Sequence, residues 1–390
     1  MSIARKMRID ELDLVRAFCV LAVITVHATS YATAQLTESK YFILYNFLNI
    51  FSQFGTPTFI AMSGFVLFYN YCDRPLNREL LTGFYRKRLV NILLPYFIFS
   101  LFYFCLIQVA KGSPIQFNMI VEFIEKLITG KAYTHLYFVF ITVQFYLLFP
   151  LILMLFNKYP KLKKWSILIG FAVQWLFILG NKYQFHVESR GSWCFTYFSY
   201  YMLGAWMGMY YPSIKAWFVN KRSKQKATWN ISTFVMLGIW ALWLCSGILL
   251  VYVWYEARLF GIYANSLIYD LLLNLLSFTT LPVLIHAASM LLNMKNHSFI
   301  TRPLNRVGAL SFGIYLIHPF FLLLYRQFSP EIGTAWLLHL WYLGGFIVAL
   351  GCSWIVVGFA ARYIRFGWIF FGTLPKTNTK IAVRSNQLNS

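Results

Sequence analysis

Ten long apolar segments limit the fold of this chain more than any other feature of its sequence. A helix needs about 20 largely apolar residues to cross the hydrocarbon core of a bilayer. Charged residues make up only 12% of the chain, against about 25% in an ordinary soluble domain. The alternating pattern of a membrane barrel is absent, so the sequence predicts an all-α, polytopic membrane protein. The segments lie at about 12–33, 50–71, 89–109, 136–156, 165–181, 193–211, 229–253, 266–292, 307–327 and 335–360.

The basic residues predict how these segments are oriented. The chain has 34 Lys and Arg against 12 Asp and Glu, and with the N-terminus inside all but eight of the 34 lie on the inner side. This asymmetry follows the positive-inside rule. We expect both termini in the cytoplasm, with an N-terminal segment 1–11, a ten-helix domain 12–361 and a basic tail 362–390. A cleaved signal peptide is the alternative for the first segment, but that segment is longer than an ordinary signal sequence.

Composition and motifs also bear on partners and cofactors. A chain so rich in Phe, Trp, Leu and Ile is not expected to bind nucleic acid, and its positive charge is better matched by a lipid bilayer. The six cysteines include no CxxC pair, and neither HExxH nor a nucleotide-binding glycine loop is present. We therefore expect no metal site and no permanently bound cofactor.

Two ionisable side chains share one face of the first segment. Arg16 and His27 are eleven residues apart, which nearly restores the direction of a helical side chain and separates the two by about 16 Å along the axis. Arg16 is expected near the cytoplasmic surface and His27 past the midplane, where ionisable groups are functional candidates. Two packing roles stay open: Arg16 as an interfacial anchor, and His27 as a partner in an interhelical hydrogen bond.

Other segments hold further candidates. Arg86 and Arg88 precede the third segment and suit phosphate groups, although basic residues also mark cytoplasmic helix ends. Ser63 stands beside a glycine in the second segment, where a small residue permits close approach of a backbone or a ligand. On the outer side, His135 and His318 suggest a polar cavity, although each taken singly is more often structural.

These motifs together resemble the acyltransferase-3 family of integral membrane proteins, whose members acylate surface polysaccharides, lipopolysaccharide, peptidoglycan and related carbohydrates. Each motif is weak alone, but the set occurs in the family's order over about residues 10–325. The matching pieces are Asp13-Leu14-Val15-Arg16 with His27, Ser63-Gly64-Phe65, Arg86-Lys87-Arg88 with Pro95, Leu136-Tyr137-Phe138 with Pro150, and Ser311 through Pro319.

Within the family, three stretches resemble the intercellular-adhesin branch, which is tied to modifying or exporting poly-N-acetylglucosamine. Tyr137 departs from the pattern, because many relatives have Trp there. No partner domain follows the tenth segment, so any polysaccharide-synthesis partner is expected as a separate chain. The three stretches are Gly55-Thr56-Pro57, Ile92 through Tyr96 and Leu203 through Gly208.

The resemblance implies a multi-pass acyltransferase of the bacterial cytoplasmic membrane. Its co-substrate would be a cytoplasmic acyl-coenzyme A, and its acceptor a hydroxyl of a surface glycan, which would receive an acetyl or succinyl group. An exporter or flippase of a surface polysaccharide is the competing function. A structural subunit of a synthase complex is a third possibility, which the intramembrane charges do not favour.

The resemblance also implies roles for the candidate residues. His27 would be the catalytic base, with an acyl-histidine intermediate as the alternative chemistry. The pantetheine arm would run along the first helix toward His27. Arg16, Arg86 and Arg88 would hold the donor phosphates. The remaining candidates, acceptor-side or structural, are His135, Tyr315, His318 and Ser63.

Overall fold

The computed structural model describes residues 9–112, 118–219, 231–328 and 335–375. The first eight residues, with the basic residues Arg5, Lys6 and Arg8, and the end of the predicted tail, 376–390, lie outside the described residues. The orientation of the termini across the bilayer and the domain bounds 1–11, 12–361 and 362–390 stay predictions.

The described residues form sixteen α-helices and no strand, which confirms the all-α class. Short π-helical turns at 89–93 and 181–185 extend two of the helices. The helices are α1 (Glu11–Thr29), α2 (Ala32–Gln35), α3 (Phe42–Phe51), α4 (Gly55–Tyr71), α5 (Arg78–Arg88), α6 (Leu94–Ala110), α7 (Asn118–Thr129), α8 (Tyr137–Lys158), α9 (Leu162–Gly180), α10 (Phe198–Val219), α11 (Ile231–Phe260), α12 (Ser266–Leu292), α13 (Ser298–Ala309), α14 (Ser311–Gln327), α15 (Ala335–Tyr363) and α16 (Gly367–Phe371).

A helix lies at each of the ten predicted positions, so the polytopic fold is confirmed. Within the described residues, eight stretches are long and apolar enough to cross a membrane, and α13 with α14, bent by 80°, makes a ninth if the pair is one span. The sixth predicted segment, 193–211, corresponds to α10, whose tyrosines and glycines make it less apolar than the eight. The eight are Glu11–Gln35, Phe42–Tyr71, Arg78–Ala110, Tyr137–Lys158, Leu162–Phe185, Thr233–Phe260, Ser266–Leu292 and Trp336–Tyr363.

Helices α4 and α10 pack against each other at backbone distance because both present glycines at the contact. A Cβ on Gly204 would overlap the carbonyl of Ala61, and a Cβ on Gly64 would overlap the carbonyl of Tyr201. Small residues at such positions let membrane helices approach closely. The close approach expected beside Ser63 is therefore found, with α10 as the partner.

Helix α1 lies at the centre of the bundle, where it contacts α3, α4, α12, α13, α14 and α15. Its first turn meets the end of α13, because a Cβ on Gly308 would overlap the carbonyl of Asp13. Its last turn meets the end of α14, where Arg326 donates to the carbonyl of His27. Because α14 begins directly after α13 ends, the start of α1 lies beside the start of α14, and the two helices run in the same direction. We call the two ends of the bundle the Arg16 end and the His27 end.

Candidate functional site

Three histidine side chains from three separate elements meet near the His27 end. The ring centroids of His27, on α1, and His318, on α14, are 5.2 Å apart. The ring centroid of His135, in the loop before α8, is 5.7 Å from that of His318. His135 and His318 are fully buried, whereas His27 is partly exposed. The structure thus brings together three residues that lie far apart in the sequence.

Backbone carbonyls select the tautomers of the two buried histidines. Nδ1 of His318 lies 2.8 Å from the carbonyl oxygen of Tyr315 and 3.2 Å from that of Ile314. Nε2 of His135 lies 3.1 Å from the carbonyl oxygen of Leu316. Because a carbonyl oxygen only accepts, these ring nitrogens carry the hydrogen. Nε2 of His318 and Nδ1 of His135 are then lone-pair acceptors, and neither has a hydrogen-bond partner among the described residues.

Two tyrosine hydroxyls donate to backbone carbonyls beside His135: one joins the His135 loop to α14, and the other joins α6 to α14 at the carbonyl that His135 also contacts. The Tyr315 hydroxyl donates to the carbonyl of His135, and the Tyr103 hydroxyl donates to the carbonyl of Leu316 at 2.9 Å. Both tyrosines are buried. The hydroxyl of Tyr315 is therefore engaged in positioning His135.

Arg326 contacts the histidine cluster at the end of α1 and was not among the predicted site residues. Its guanidinium donates to the carbonyl of His27 at 2.6 Å and to the hydroxyl of Ser30 at 3.2 Å. The guanidinium centre also lies 3.6 Å from the ring centroid of Tyr31. The signal that could have found it is a lone arginine in the outer turns of the ninth apolar segment.

Small-ligand sites typically have volumes of about 300 to 1,000 Å³, and a cavity of about 700 Å³ opens near the Arg16 end. Four basic side chains and one carboxylate line this basic cavity, so its net charge is positive. The middle of its wall is apolar, with Phe59, Met62, Val66 and Leu67 from α4. The charged residues in the lining are Arg16, Arg74, Lys87, Arg88 and Asp13.

The predicted donor-binding residues differ in where they lie. Arg16 and Arg88 line the basic cavity, whereas Arg86 is exposed and is not among its lining residues. Arg74 and Lys87 occupy the wall instead. The π-helical turn that follows α5 begins one residue after Arg88, so spacing along a regular helix did not indicate which side chain of the basic run points inward.

Arg16 and Arg88 have different surroundings in the cavity wall. Arg16 donates to the Asp13 carboxylate at 2.6 Å, and a third of its side chain is exposed. The guanidinium of Arg88 lies 5.1 Å from the ring centroid of Tyr146 and 5.9 Å from that of Phe84. Its Nε is buried and has no hydrogen-bond partner among the described residues. Arg88 thus brings to the cavity lining a guanidinium that forms no ion pair with a described residue.

Three aromatic side chains close the deep end of the basic cavity. Phe59, Phe138 and Tyr315 line it, with ring centroids 5.0 to 6.4 Å apart. We call these three residues the aromatic wall. Ser63 lines the same cavity. Tyr315 connects the wall to the histidine cluster, because its ring centroid is 5.9 Å from that of His318 and 5.3 Å from that of His135.

The cavity does not follow the expected path along α1. It is lined mainly by α4, α8 and α14, and α1 contributes only Asp13 and Arg16. His27 is absent from its lining and lies behind His318. A pantetheine arm bound in this cavity would therefore extend toward the aromatic wall, with His318 between the wall and His27.

A second pocket, of about 450 Å³, lies on the other side of the aromatic wall. We call it the tyrosine pocket. Helix α8 runs from the His27 end to the Arg16 end, since Phe149, in its second half, packs 5.6 Å from Tyr71 of the basic cavity. The pocket lies where α8 begins. Its lining is Gly130, Lys131, Tyr133, Thr134, Tyr137, Ser189, Gly191, Ser192 and Tyr197.

The two cavities approach each other at the start of α8. Tyr137 lines the tyrosine pocket, and the next residue, Phe138, lines the basic cavity. Tyr137 therefore lies at the boundary between the two cavities. The arrangement provides two sites on opposite sides of a wall about one side chain thick.

The described residues contain no group of three or more His, Cys, Asp or Glu side chains placed to hold a metal ion. The three histidines of the cluster face backbone carbonyls and one another's rings instead. All six cysteines are free thiols.

Comparison with known proteins identifies the family. The acyltransferase-3 model, described as an acyltransferase domain, matches residues 9–358. The chain therefore belongs to the acyltransferase-3 family, as the order of its motifs indicated. The match extends from the start of α1 into α15 and includes every residue of the histidine cluster and of the aromatic wall.

Among its relatives are staphylococcal proteins named "Probable poly-beta-1,6-N-acetyl-D-glucosamine export protein". The Staphylococcus epidermidis protein is 28% identical over 350 residues, which cover 81% of this chain and 82% of the relative. The Staphylococcus aureus (strain MSSA476) protein is 28% identical over 225 residues, 54% of this chain. The aligned part spans 59% of the Staphylococcus aureus relative. No solved structure matches the chain.

Proposed function

We propose that this membrane acyltransferase moves an acetyl or succinyl group from acyl-coenzyme A, bound at the Arg16 end, to a hydroxyl of a surface glycan at the His27 end. The observation that carries the proposal is the pair of cavities that meet at the aromatic wall beside the histidine cluster. One cavity is basic, as an anionic donor would require, and the other is lined by tyrosine, serine and threonine residues, which suit a carbohydrate acceptor.

The basic cavity suits the two chemically different parts of coenzyme A. Its phosphates would lie near Arg16, Arg74, Lys87 and Arg88, because guanidinium and ammonium groups form charge-assisted hydrogen bonds with phosphate oxygens. The neutral pantetheine arm would pass the apolar middle of the wall. This binding mode places the thioester at the aromatic wall, which has to open for transfer to occur. The positive-inside prediction puts this end in the cytoplasm, where acyl-coenzyme A is available.

His27 is the proposed general base. It takes the proton of the acceptor hydroxyl while the hydroxyl oxygen attacks the thioester carbon, and it returns that proton to the departing thiolate of coenzyme A. The products are an ester and free coenzyme A. In the alternative chemistry, a nitrogen of His27 attacks the thioester first, and the acceptor hydroxyl then displaces the acyl group from the imidazole.

His318 is the proposed positioning residue for His27. Its Nδ1 hydrogen is committed to backbone carbonyls, so its free Nε2 can accept a hydrogen bond from an N–H of His27. That bond would leave the second nitrogen of His27 unprotonated, in the form a general base needs. The ring separation of 5.2 Å requires only a modest approach, and catalytic hydrogen bonds often shorten when substrate binds.

The direct test is to incubate the purified protein with labelled acetyl- or succinyl-coenzyme A and a panel of glycans. The proposal expects label on a glycan hydroxyl, with release of one coenzyme A for each ester formed. Label recovered on the protein after a quench without glycan would favour the acyl-histidine route. Failure to transfer either group to any surface glycan would remove the proposal.

Polysaccharide export is the second candidate, and the name of the staphylococcal relatives favours it. Two cavities on opposite sides of one wall also occur in transporters. Export does not account for the histidine cluster or for an available arginine donor in the basic cavity. Secreted polymer from cells that carry His27→Ala separates the functions: normal amounts of unmodified polymer indicate an acyltransferase, and loss of secretion indicates an exporter.

A further inference from the structure

The last described residues of the chain form one side of the basic cavity. Three consecutive residues, Thr373, Leu374 and Pro375, are among those that line it, and we call them the C-terminal strap. They follow α16 and lie beyond residues 9–358, the part of the chain that the acyltransferase-3 model matches. This side of the cavity therefore lies outside the sequence that the family shares.

The helix before the strap fixes it to the rest of the bundle. Helix α16 contacts α6, α14, α15 and the π-helical turn 89–93. Phe371, at the end of α16, is buried, and its ring centroid is 6.0 Å from that of Phe99 on α6. Leu374 packs back against the first residue of α16, because a Cβ on Gly367 would lie 3.2 Å from its Cδ1. The strap thus belongs to the packed structure.

A glycine sets the direction in which the chain enters the strap. Gly372 has φ 68° and ψ −148°, a combination that is open to glycine and strained for residues with a Cβ. A Cβ there would also lie 2.6 Å from the carbonyl oxygen of Asn91 and 2.9 Å from the ring of Phe312. Asn91 is in the turn that follows Arg88, and Phe312 is at the start of α14. The strap therefore begins beside these two elements, at the Arg16 end.

The strap forms a wall of the cavity and does not fill it. A volume of about 700 Å³ remains open with the strap in place. Thr373 and Pro375 are exposed, whereas Leu374 is partly buried. A proline restricts the residue before it to extended conformations, so the strap has little freedom to change its course. A ligand in the cavity would meet the strap at the exposed edge of the cavity.

We propose that the C-terminal strap contacts the nucleotide half of the acyl donor and that Thr373 is a specificity-determining position for it. This inference rests on the proposed acyl transfer, which it deepens by naming an element that recognises the donor. Lys87 and Arg88 directly precede the turn beside which the strap begins. Phosphates held by these two side chains would lie near Thr373, whereas the pantetheine arm would extend away from the strap to the aromatic wall.

Charge changes at Thr373 are the sharpest variants, because an exposed side chain can be replaced without disturbing the packing of its neighbours. Thr373→Glu places a carboxylate near the donor phosphates, and Thr373→Lys places an ammonium group there. The matched controls are Thr233→Glu and Thr233→Lys, since Thr233 is exposed at the start of α11 and is not in the cavity lining.

A second kind of variant displaces the strap and leaves its charge unchanged. Gly372→Ala adds a Cβ that would overlap the carbonyl of Asn91 at a backbone conformation strained for alanine. The matched control is Gly261→Ala. Gly261 also has a positive φ, 66°, but a Cβ there meets nothing within 4 Å. The control therefore carries similar backbone strain without the clash at the strap.

The measurement is calorimetric binding of coenzyme A to the full chain in detergent, at low and at high salt. We expect Thr373→Glu to weaken binding about fivefold and Thr373→Lys to tighten it about fivefold, the upper range for one exposed charge pair. Both changes should shrink at high salt, because counterions screen exposed charges. Gly372→Ala should weaken binding about fivefold or more, because the strain displaces the strap. The control variants should match the wild type.

The opposite signs of the two Thr373 variants distinguish contact with phosphates from simple damage to the cavity. Weaker binding in both Thr373→Glu and Thr373→Lys would overturn the proposal, and so would unchanged binding in these two variants and in Gly372→Ala.

Arg88→Ala, measured in the same way, separates this proposal from the function on which it rests. Weaker binding in Arg88→Ala with no effect at Thr373 would remove the strap and keep the donor cavity. Binding that responds to charge at Thr373, in a protein that transfers no acyl group, would keep the strap and remove the enzymatic function. No binding of coenzyme A to the wild type would overturn both proposals.

Discussion

The basic cavity and the tyrosine pocket approach the same aromatic wall from opposite sides, but different side chains line them. Four cations and an apolar middle line the first, and six hydroxyl-bearing side chains line the second. The first is built mainly from helices, whereas two loops and the start of α8 form the second. A protein that only passed one polymer through itself would be expected to line both cavities similarly. The difference points to two ligands of different chemistry.

The largest expected effect on acyl transfer comes from substituting His27, the proposed general base for both the acceptor hydroxyl and the departing thiolate. His27→Ala should lower the rate of acyl transfer by about 10²- to 10⁴-fold, the usual contribution of a general base. Steady-state transfer from labelled acyl-coenzyme A to glycan measures it, alongside the amount of inserted protein. The control is His297→Ala, an exposed histidine whose Nδ1 lies 3.1 Å from the carbonyl oxygen of Met294 in its own turn. Full activity in His27→Ala would remove this residue from the chemistry.

A smaller effect should separate the donor side from the acceptor side. Arg88→Ala should raise the KM for acyl-coenzyme A by about 10- to 100-fold, because a charge-assisted hydrogen bond contributes about 1.5 to 3 kcal/mol. The KM for the glycan should stay the same. Arg86→Ala is the matched control, since Arg86 is two residues away, exposed and outside the cavity lining. Equal effects of the two substitutions would contradict the assignment of the basic cavity to the donor.

A substitution at Arg326 tests whether its contact with the end of α1 positions His27. Arg326→Lys keeps the charge but cannot reproduce the guanidinium contacts with the carbonyl of His27, the hydroxyl of Ser30 and the ring of Tyr31. We expect kcat to fall about tenfold, the effect of losing about 1.4 kcal/mol of positioning in the transition state. The KM for acyl-coenzyme A should not change. A pure change in donor KM would show that Arg326 acts on the donor and does not position His27.

The smallest expected effect concerns the loop that carries His135. Tyr103→Phe removes the hydroxyl that donates to the carbonyl of Leu316 and leaves that carbonyl with one partner fewer. Because the Leu316 carbonyl still accepts from Nε2 of His135, the free energy of unfolding should fall by only about 0.5 to 1.5 kcal/mol, with the acceptor KM raised and the donor KM unchanged. Thermal unfolding in detergent and the two KM values check this. Tyr252→Phe, on the exposed face of α11, is the control and should change neither quantity.

Local pattern was sufficient to predict the helices and part of the site. Apolar length placed a helix at all ten positions, and helical periodicity placed Arg16 and His27 on one element, as α1 shows. The small residues around Ser63 in the second segment were recognised as a point of close approach, and Gly64 of α4 shows it. These features depend on residues near one another in the sequence, or on side-chain size at a contact, and both are visible without the fold.

The parts that were not predicted depend on contacts between distant segments. The pairing of Arg326 with the carbonyl of His27 joins residues 299 positions apart. Arg74 and Lys87 enter the cavity wall because the chain turns between α4 and α5 and a π-helical turn follows α5. The tyrosine pocket forms between two loops that carry no shared motif. Periodicity holds no information about which loops meet, so the cavity between α4, α8 and α14 could be found only from the structure.

The most direct test of the central claim is sided transfer in vesicles that contain the purified protein in one orientation. Labelled acyl-coenzyme A is supplied on the Arg16 side and a β-1,6-linked N-acetylglucosamine pentamer on the His27 side, and neither compound crosses the bilayer. The account predicts labelled pentamer in this arrangement and none when both compounds are on the His27 side. Transfer only when donor and pentamer share one side would contradict it, and so would export of the pentamer without acylation.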